Sequence, residues 1–290
     1  VGDTKSDFLN AAEQLIVSNQ RTFNSDFRNE IFEFIIDFEH NFNKEGRSLN
    51  ANISYTMDDE NRDNEVLNSI ASFTNETYNE DVNLKNAIFD MSYANPFGKS
   101  STFTLGYTGE FGKFPFHYNG SISQNDIDYH ENIHQGYVDY EFENDKIYFN
   151  IGVRGEFQES TVNFENQNLK IDNRENDYFP SSTINYAIND YNSLEVSFNL
   201  GKHRLVPRVM QPYEEKISET SSYIGNPLIE PVDIYKGSFT YSFTGEKITI
   251  SPNLFYEVYE NFWESVTYET GELINGISKL ITTPQNAGKL

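Results

Sequence analysis

Apolar and polar residues alternate along most of the chain with a period of two. The segment "IFEFIIDFEHNF" places Phe32, Phe34, Ile36, Phe38 and Phe42 on one parity and Glu33, Asp37, Glu39 and Asn41 on the other. That is the pattern of a strand with one apolar and one wet face, not of a helix. After the turn "NKEGRS", the stretch "LNANISYTMD" repeats it, with Leu49, Ala51, Ile53, Tyr55 and Met57 against polar neighbours, so the two runs predict a hairpin. The same alternation runs through "TFTLGYTGEF", "IYFNIGVRGEF" and "LEVSFNL", each preceded by a partner: "AIFDMSYANP", "HQGYVDYEF" and "STINYAI". A last hairpin joins "YKGSFTYSF" to "ITISPNLFYEV" through "TGEK", and ten strands are expected in all. One strand breaks phase, with Val82 and Leu84 on even positions and Ala87, Phe89, Met91 and Tyr93 on odd ones; a bulge near Asn86 would restore it.

Connections alternate as regularly as side chains. Those near 43–48, 95–101, 143–146, 189–193 and 244–247 are short, whereas 59–78, 112–128, 158–177, 205–230 and 259–280 are long and polar. Short turns at one rim and long loops at the other are the habit of outer-membrane barrels, and a soluble β-sandwich has no reason to sort its loops this way. The outward aromatics Phe32, Phe42, Tyr55, Tyr93, Tyr107, Phe111, Phe157 and Tyr186 fit a lipid-interface girdle.

Composition narrows the picture. With 290 residues the chain is long enough for one large domain, and a net charge of −24 leaves no basic stripe for nucleic acid. The absence of cysteine rules out disulfides and thiolate metal sites. No apolar run is long enough for a membrane helix, but average hydropathy is blind to barrels, in which only every second residue meets lipid. The opening "VGDTKSDFLN" lacks an initiator Met and a signal region and reads as a piece of a longer precursor.

The stretch "HENIH", residues 130–134, matches the His-Glu-x-x-His pattern of zinc peptidases. That chemistry needs a helix, where positions i and i+4 share a face. In a strand the two histidines stand roughly 13 Å apart, beyond the reach of one ion. Period-two alternation surrounds the motif, so a strand is expected and no catalytic residue is assigned.

The longer stretch "IDYHENIHQGYVDYEFENDKIYFNIGVRGEF" resembles the signature of the outer-membrane β-barrel domain of TonB-dependent receptor-like proteins. Tyr129, Glu131, Ile133, Gly136 and Tyr137 fill its first half, and Gly152, Val153, Arg154 and Glu156 its second. Phe179-Pro180 in "YFPSSTINY", Gly225, Asn226, Pro227 and Pro231 in "YIGNPLIEP", and "TPQNAGKL" resemble further family motifs in the same order. Val206-Pro207 stands where the family usually has Arg-Pro, and Val232 where a Glu is usual.

The resemblance implies an all-β fold: an antiparallel up-and-down transmembrane barrel wall of about ten strands, an open part of a barrel of about 22 closed around a plug. Residues 1–21 are read as an extracellular loop or partial strand and 22–290 as a single barrel segment without a plug. The implied function is ligand capture at the outer loops and import through the plugged lumen, in contact with the inner-membrane TonB complex, outer-membrane lipid and lipopolysaccharide. The alternative is a non-transporting surface scaffold whose acidic loops bind partners.

Candidate ligand-facing residues follow from parity and position. Glu33, Asp37, Glu39, Arg154 and Glu156 have inward parity, while Arg204 and Arg208 lie in a long loop region where an anionic ligand or lipopolysaccharide phosphate is conceivable beside a plain salt bridge. Trp263 beside Phe262 is a further ligand-contact candidate. No cofactor is expected, with one exception kept open: Asp59, Asn61, Asp63 and Glu65 are spaced like a Ca2+ loop but lack its glycine.

Overall fold

The computed structural model describes residues 2–9, 15–71, 73–121 and 124–290. The wall is a meander of antiparallel strands: β1 (Gly2–Leu9), β2 (Leu15–Asn41), β3 (Ser48–Asn68), β4 (Glu76–Phe97), β5 (Ser101–Gly120), β6 (Gln124–Glu143), β7 (Ile147–Phe164), β8 (Leu169–Asn189) and β9 (Asn192–His203). A segment carrying the short helix α1 (Pro207–Met210) and strands β10 (Glu214–Lys216) and β11 (Ser221–Ile224) leads back to β12 (Val232–Thr244). Then come β13 (Thr249–Ile250), β14 (Asn253–Glu260), β15 (Phe262–Ile274) and β16 (Ile277–Gly288).

Among the described residues the main sheet has twelve strands in the order β1 to β9, β12 and β13, with β14 also on β12, and it does not close on itself. All ten expected strands are present, the last divided into β13 and β14 around Pro252, which has no N–H to give the ladder. The additional wall strand is β1, which pairs with the start of β2 from Gly2↔Phe23. Residues 1 and 10–14 of the expected N-terminal loop lie outside the described residues. Among the described residues no helix is long and apolar enough to cross a membrane.

Two expectations are corrected. Stretches 59–78, 112–128 and 158–177 are not loops: the ladders continue to Val66↔Glu76, Asn119↔Gln124 and Phe164↔Leu169. Beyond the lipid both sheet faces meet water or packed protein, so backbone pairing persists while the alternation that reveals it lapses. Likewise 259–280 is mostly the hairpin β15–β16, closed by Asn275 and Gly276, both at positive φ.

There is also no bulge at Asn86. It sits opposite Thr56 and Gly112 in uninterrupted register. Val82 shares the concave face with Tyr78 and Glu80, where an inserted segment gives it apolar company. The phase change thus marks where the strand leaves the bilayer.

That inserted segment is the connection from β9 to β12. β9 pairs with β8 only from Asn189↔Asn192 to Ser181↔Asn199, while β8 runs on with β7 alone. Through this notch residues 204–231 turn onto the concave face. Val209, Met210 and Ile229 pack there against Ile127, Tyr129, Val162 and Phe164 of β6 and β7. The core thus lies between the outer half of the wall and this segment, and its wall residues come from stretches whose alternation is weak.

Candidate functional site: the concave outer cavity

Arg204 enters the notch and fixes the inserted segment to the wall. Its guanidinium ion-pairs with Glu156, and its Nε donates to Gln158 Oε1 at 3.0 Å. Glu156 also accepts from Gln135 Nε2 at 2.9 Å, and Gln158 donates to Glu131 at 2.5 Å. The Glu156 side chain is fully buried, so the network supplies the partners without which a buried carboxylate is costly. At the same notch Lys202 reaches Glu175 and Asp177, each at 2.7 Å, tying the free flank of β8 to β9.

A second set of contacts holds the far end of the segment. A Cβ on Gly225 would lie 2.6 Å from Gln211 N and 2.7 Å from Val209 O, so only glycine allows the backbones this close. Asn226 N donates to Val209 O at 2.7 Å, and its side-chain amide donates to Pro284 O at 3.2 Å. Its Oδ1 accepts from Leu228 N at 3.0 Å, which shapes the turn around Pro227 ahead of Pro231 and β12. Asn286 completes the latch: its Oδ1 accepts from Glu230 N at 2.9 Å, and its amide donates to Asn261 O at 2.7 Å and to Glu230 O at 3.2 Å. Asn261 has a φ of 57°, a left-handed kink between β14 and β15. The hairpin β15–β16 therefore leans over the concave face, where β16 pairs in parallel with β11.

Between wall and insertion lies a cavity of about 800 Å3. Phe73, Tyr78, Phe114, Phe116, Tyr118 and Tyr213 supply aromatic surface to it. Most of its cations are already paired: Arg208 with Glu215 at 2.8 Å, Lys279 with Glu214 at 2.9 Å, Lys216 with Glu219 at 3.0 Å and also with Glu76, and Arg62 with Glu80 at 3.6 Å. Burial pushes the Glu80 carboxyl up, an effect Arg62 opposes. Burial acts the same way on Glu214, but the Ser222 hydroxyl and the Lys279 ammonium outweigh it and hold that carboxyl below its usual range. Arg21 donates to Ile217 O at 2.5 Å, while its buried Nε has no hydrogen-bond partner among the described residues. The cavity thus offers aromatic faces, balanced charge and a spare donor, the composition of a site for a small organic ligand.

The residues singled out by sequence fall into distinct places. Glu156 and Arg204 meet, and Arg208 lines the cavity. Arg154 lies 4.7 Å over the ring of buried Phe179, while Pro180 pairs with Val153 across the ladder. Glu33, Asp37 and Glu39 stay exposed on β2; Asp37 accepts from Asn52 at 2.6 Å and Glu39 from Asn41 at 2.7 Å.

Several motif residues are structural. Tyr129 and Ile133 are buried, and the ring of Tyr137 covers Gly106 directly across the ladder. Gly152 leaves room for the Asp139 carboxylate. Trp263 packs against the core.

"HENIH" is strand β6. His130 is paired with Asp128 at 3.1 Å, and His134 bonds the Tyr107 hydroxyl at 2.7 Å on the outward face. Asp59, Asp63 and Glu65 lie along β3, where Asp63 accepts from Asn79 and Glu65 from Asn24, each at 3.0 Å. Among the described residues no three His, Asp or Glu side chains gather as a metal site. The cavity itself escaped sequence reading, because its aromatics sit on inward parity, where lumen residues are expected to be polar.

The chain matches the Outer membrane protein beta-barrel family over residues 40–290 and belongs to it. Its fold is similar to that of the hemophore receptor HasR of Serratia marcescens, with a TM-score of 0.64 at 10% identity over 99% of this chain and 49% of that one. It is likewise similar to the copper transporter OprC (TM-score 0.59, 10% identity, 97% and 51% covered) and to the ferric citrate transporter FecA (0.55, 13%, 88% and 38%). The chain therefore spans about half the length of these structures or less, and at such identities the likeness is one of fold. No curated protein matches the chain. The wall is that of an outer-membrane β-barrel, and its place is the outer membrane of a Gram-negative bacterium.

Proposed function

We propose that this wall belongs to a receptor that captures a small ligand at its outer face and imports it through a plugged lumen, in contact with the inner-membrane TonB complex. The observation that carries the reading is the cavity of about 800 Å3 at the outer end of the concave face, bounded by a segment fastened at both ends. A bare scaffold has no need of such a chamber. Heme, iron chelates and copper, the cargoes named for the similar structures, set the range of sizes to try first.

The test is a growth comparison with each of these as the limiting nutrient. A strain lacking the gene loses growth on one of them, and loss of TonB in the wild-type background gives the same defect. A deletion strain that grows like wild type on all of them, or a defect indifferent to TonB, contradicts the proposal.

A further inference from the structure

The hairpin β15–β16 belongs to a second, four-stranded sheet in the order β10, β11, β16, β15. At one edge β10 turns toward the wall, where Lys216 meets Glu76. At the other edge β15 pairs with β16 alone, and every residue from Glu264 to Leu273 is exposed.

The partner strand shows which backbone groups of β15 lie open. Antiparallel neighbours alternate between pairs that exchange hydrogen bonds and pairs whose N–H and C=O groups point away from each other. Leu280 N donates to Thr220 O at 2.8 Å, and Pro284 O accepts from the Asn226 amide at 3.2 Å, so both residues of β16 turn away from β15. Their partners Glu269 and Ser265 therefore point outward, and so does Thr267 between them. Three residues in register thus offer a ladder to a further strand, and among the described residues no backbone group fills it.

Natural sheets blunt such an edge with lysine, proline or a bulge, because an open ladder recruits other strands. Residues 265–269, "SVTYE", contain no lysine or proline, keep an unbroken register with β16 and are rich in strand formers. Val266 and Tyr268 lie exposed on one face, and Thr267 and Glu269 on the other. The ion pairs of the hairpin are made by Lys279, with Glu214 and Glu272, which leaves Glu264 and Glu269 without an ion pair among the described residues.

We propose that β15 is a docking edge for an extended cationic segment of a partner protein at the cell surface, which adds to this sheet as a fifth strand. Main-chain hydrogen bonds to Ser265, Thr267 and Glu269 hold the segment, and its alternate side chains give specificity. Its apolar side chains cover Val266 and Tyr268, and its cations meet Glu264 and Glu269. A second copy of β15 cannot supply those cations, since Phe262–Ile274 has neither lysine nor arginine. The edge is independent of the import reading, because it lies on the outside of the hairpin and not in the cavity.

The probe is a short, labelled synthetic peptide of alternating lysine and valine, titrated by fluorescence anisotropy against the full-length protein in detergent micelles. It binds saturably and slows amide exchange at Ser265, Thr267 and Glu269. The same peptide methylated on alternate backbone nitrogens keeps every charge but cannot donate to the ladder, and it binds about tenfold more weakly or worse. Thr267→Pro removes an edge-facing N–H and weakens the unmethylated peptide by about as much. Protection retained at Val266 and Tyr268, whose amides face β16, shows that the hairpin of this variant is folded. Glu264→Gln/Glu269→Gln leaves the backbone intact and weakens binding about threefold or more, which keeps the test open if the proline variant unfolds. A peptide that wild type does not bind, equal binding of the methylated peptide, unchanged binding by folded variants, or a wild-type dimer that Thr267→Pro breaks overturns the proposal.

Discussion

Replacing Arg204 with Met keeps most of the side-chain volume but removes the charge and the guanidinium hydrogen-bond donors. The fully buried Glu156 carboxylate then keeps the Gln135 amide but loses its only cationic partner among the described residues, and Gln158 loses the donor on its Oε1. Breaking one partner of a buried pair costs about 3–5 kcal/mol; since the Arg204 side chain is 31% exposed, the lower end applies. At about 1.4 kcal/mol per factor of ten, detachment of the inserted segment becomes roughly 10²-fold more frequent. Limited proteolysis reads this directly, as faster cleavage within 205–230 while the hairpins β2–β7 stay intact. Adding Glu156→Gln removes the stranded charge, and the double variant is cleaved more slowly than Arg204→Met alone. Unchanged cleavage in the single variant, or no recovery in the double, refutes the claim that this pair anchors the segment.

Three further outcomes are expected. Gly225→Ala forces a Cβ to within 2.6–2.8 Å of three backbone atoms of 208–211, and the shift this requires costs about 1–3 kcal/mol, read as a lower midpoint for thermal release of the segment. Asn286→Ala removes three hydrogen bonds between the hairpin and the rest, about 1 kcal/mol each, and accelerates amide exchange in β15–β16 while β2–β7 are unaffected. The Glu214 carboxyl is held below its unfolded value, so its stabilising effect on the hairpin is present above about pH 4.3 and is lost as pH falls through the folded value. Glu80, raised by burial, has the opposite sign, and comparing wild type with Glu214→Gln isolates the loss: hairpin protection, corrected for intrinsic exchange, falls with acid only where Glu214 is present.

What the sequence reveals depends on whether lipid forces an alternation. From Phe32 to Phe42 and from Phe103 to Phe111 one face must be apolar, so strand, phase and facing are all readable. Beyond the bilayer the ladders persist with no such demand, so 59–78 looks like a loop although Asp63 and Asn79 sit opposite each other in a ladder. Val82 on the concave face breaks the simple phase for the same reason. Arg204 and Glu156 are each conspicuous, but 48 residues separate them, and nothing local shows that the chain turns through the β8–β9 notch to join them. The Gly-Asn-Pro and Pro-Gln-Asn motifs are likewise visible only as separate pieces, and their meeting through Asn226 and Pro284 is a tertiary fact.

The central claim is that the convex face of this sheet meets lipid and the concave face holds the inserted segment. The chain has no cysteine, so single cysteines for spin labels can be placed along β5 one at a time without background. In the full-length protein in bilayers, labels at Phe103, Leu105, Tyr107 and Phe111 are reached by oxygen and shielded from a water-soluble nickel reagent, while labels at Thr104, Gly106, Thr108 and Glu110 show less oxygen contact. From Lys113 outward the nickel reagent reaches the outer face. Accessibility that does not alternate between Phe103 and Phe111, or that alternates with the opposite phase, contradicts the account.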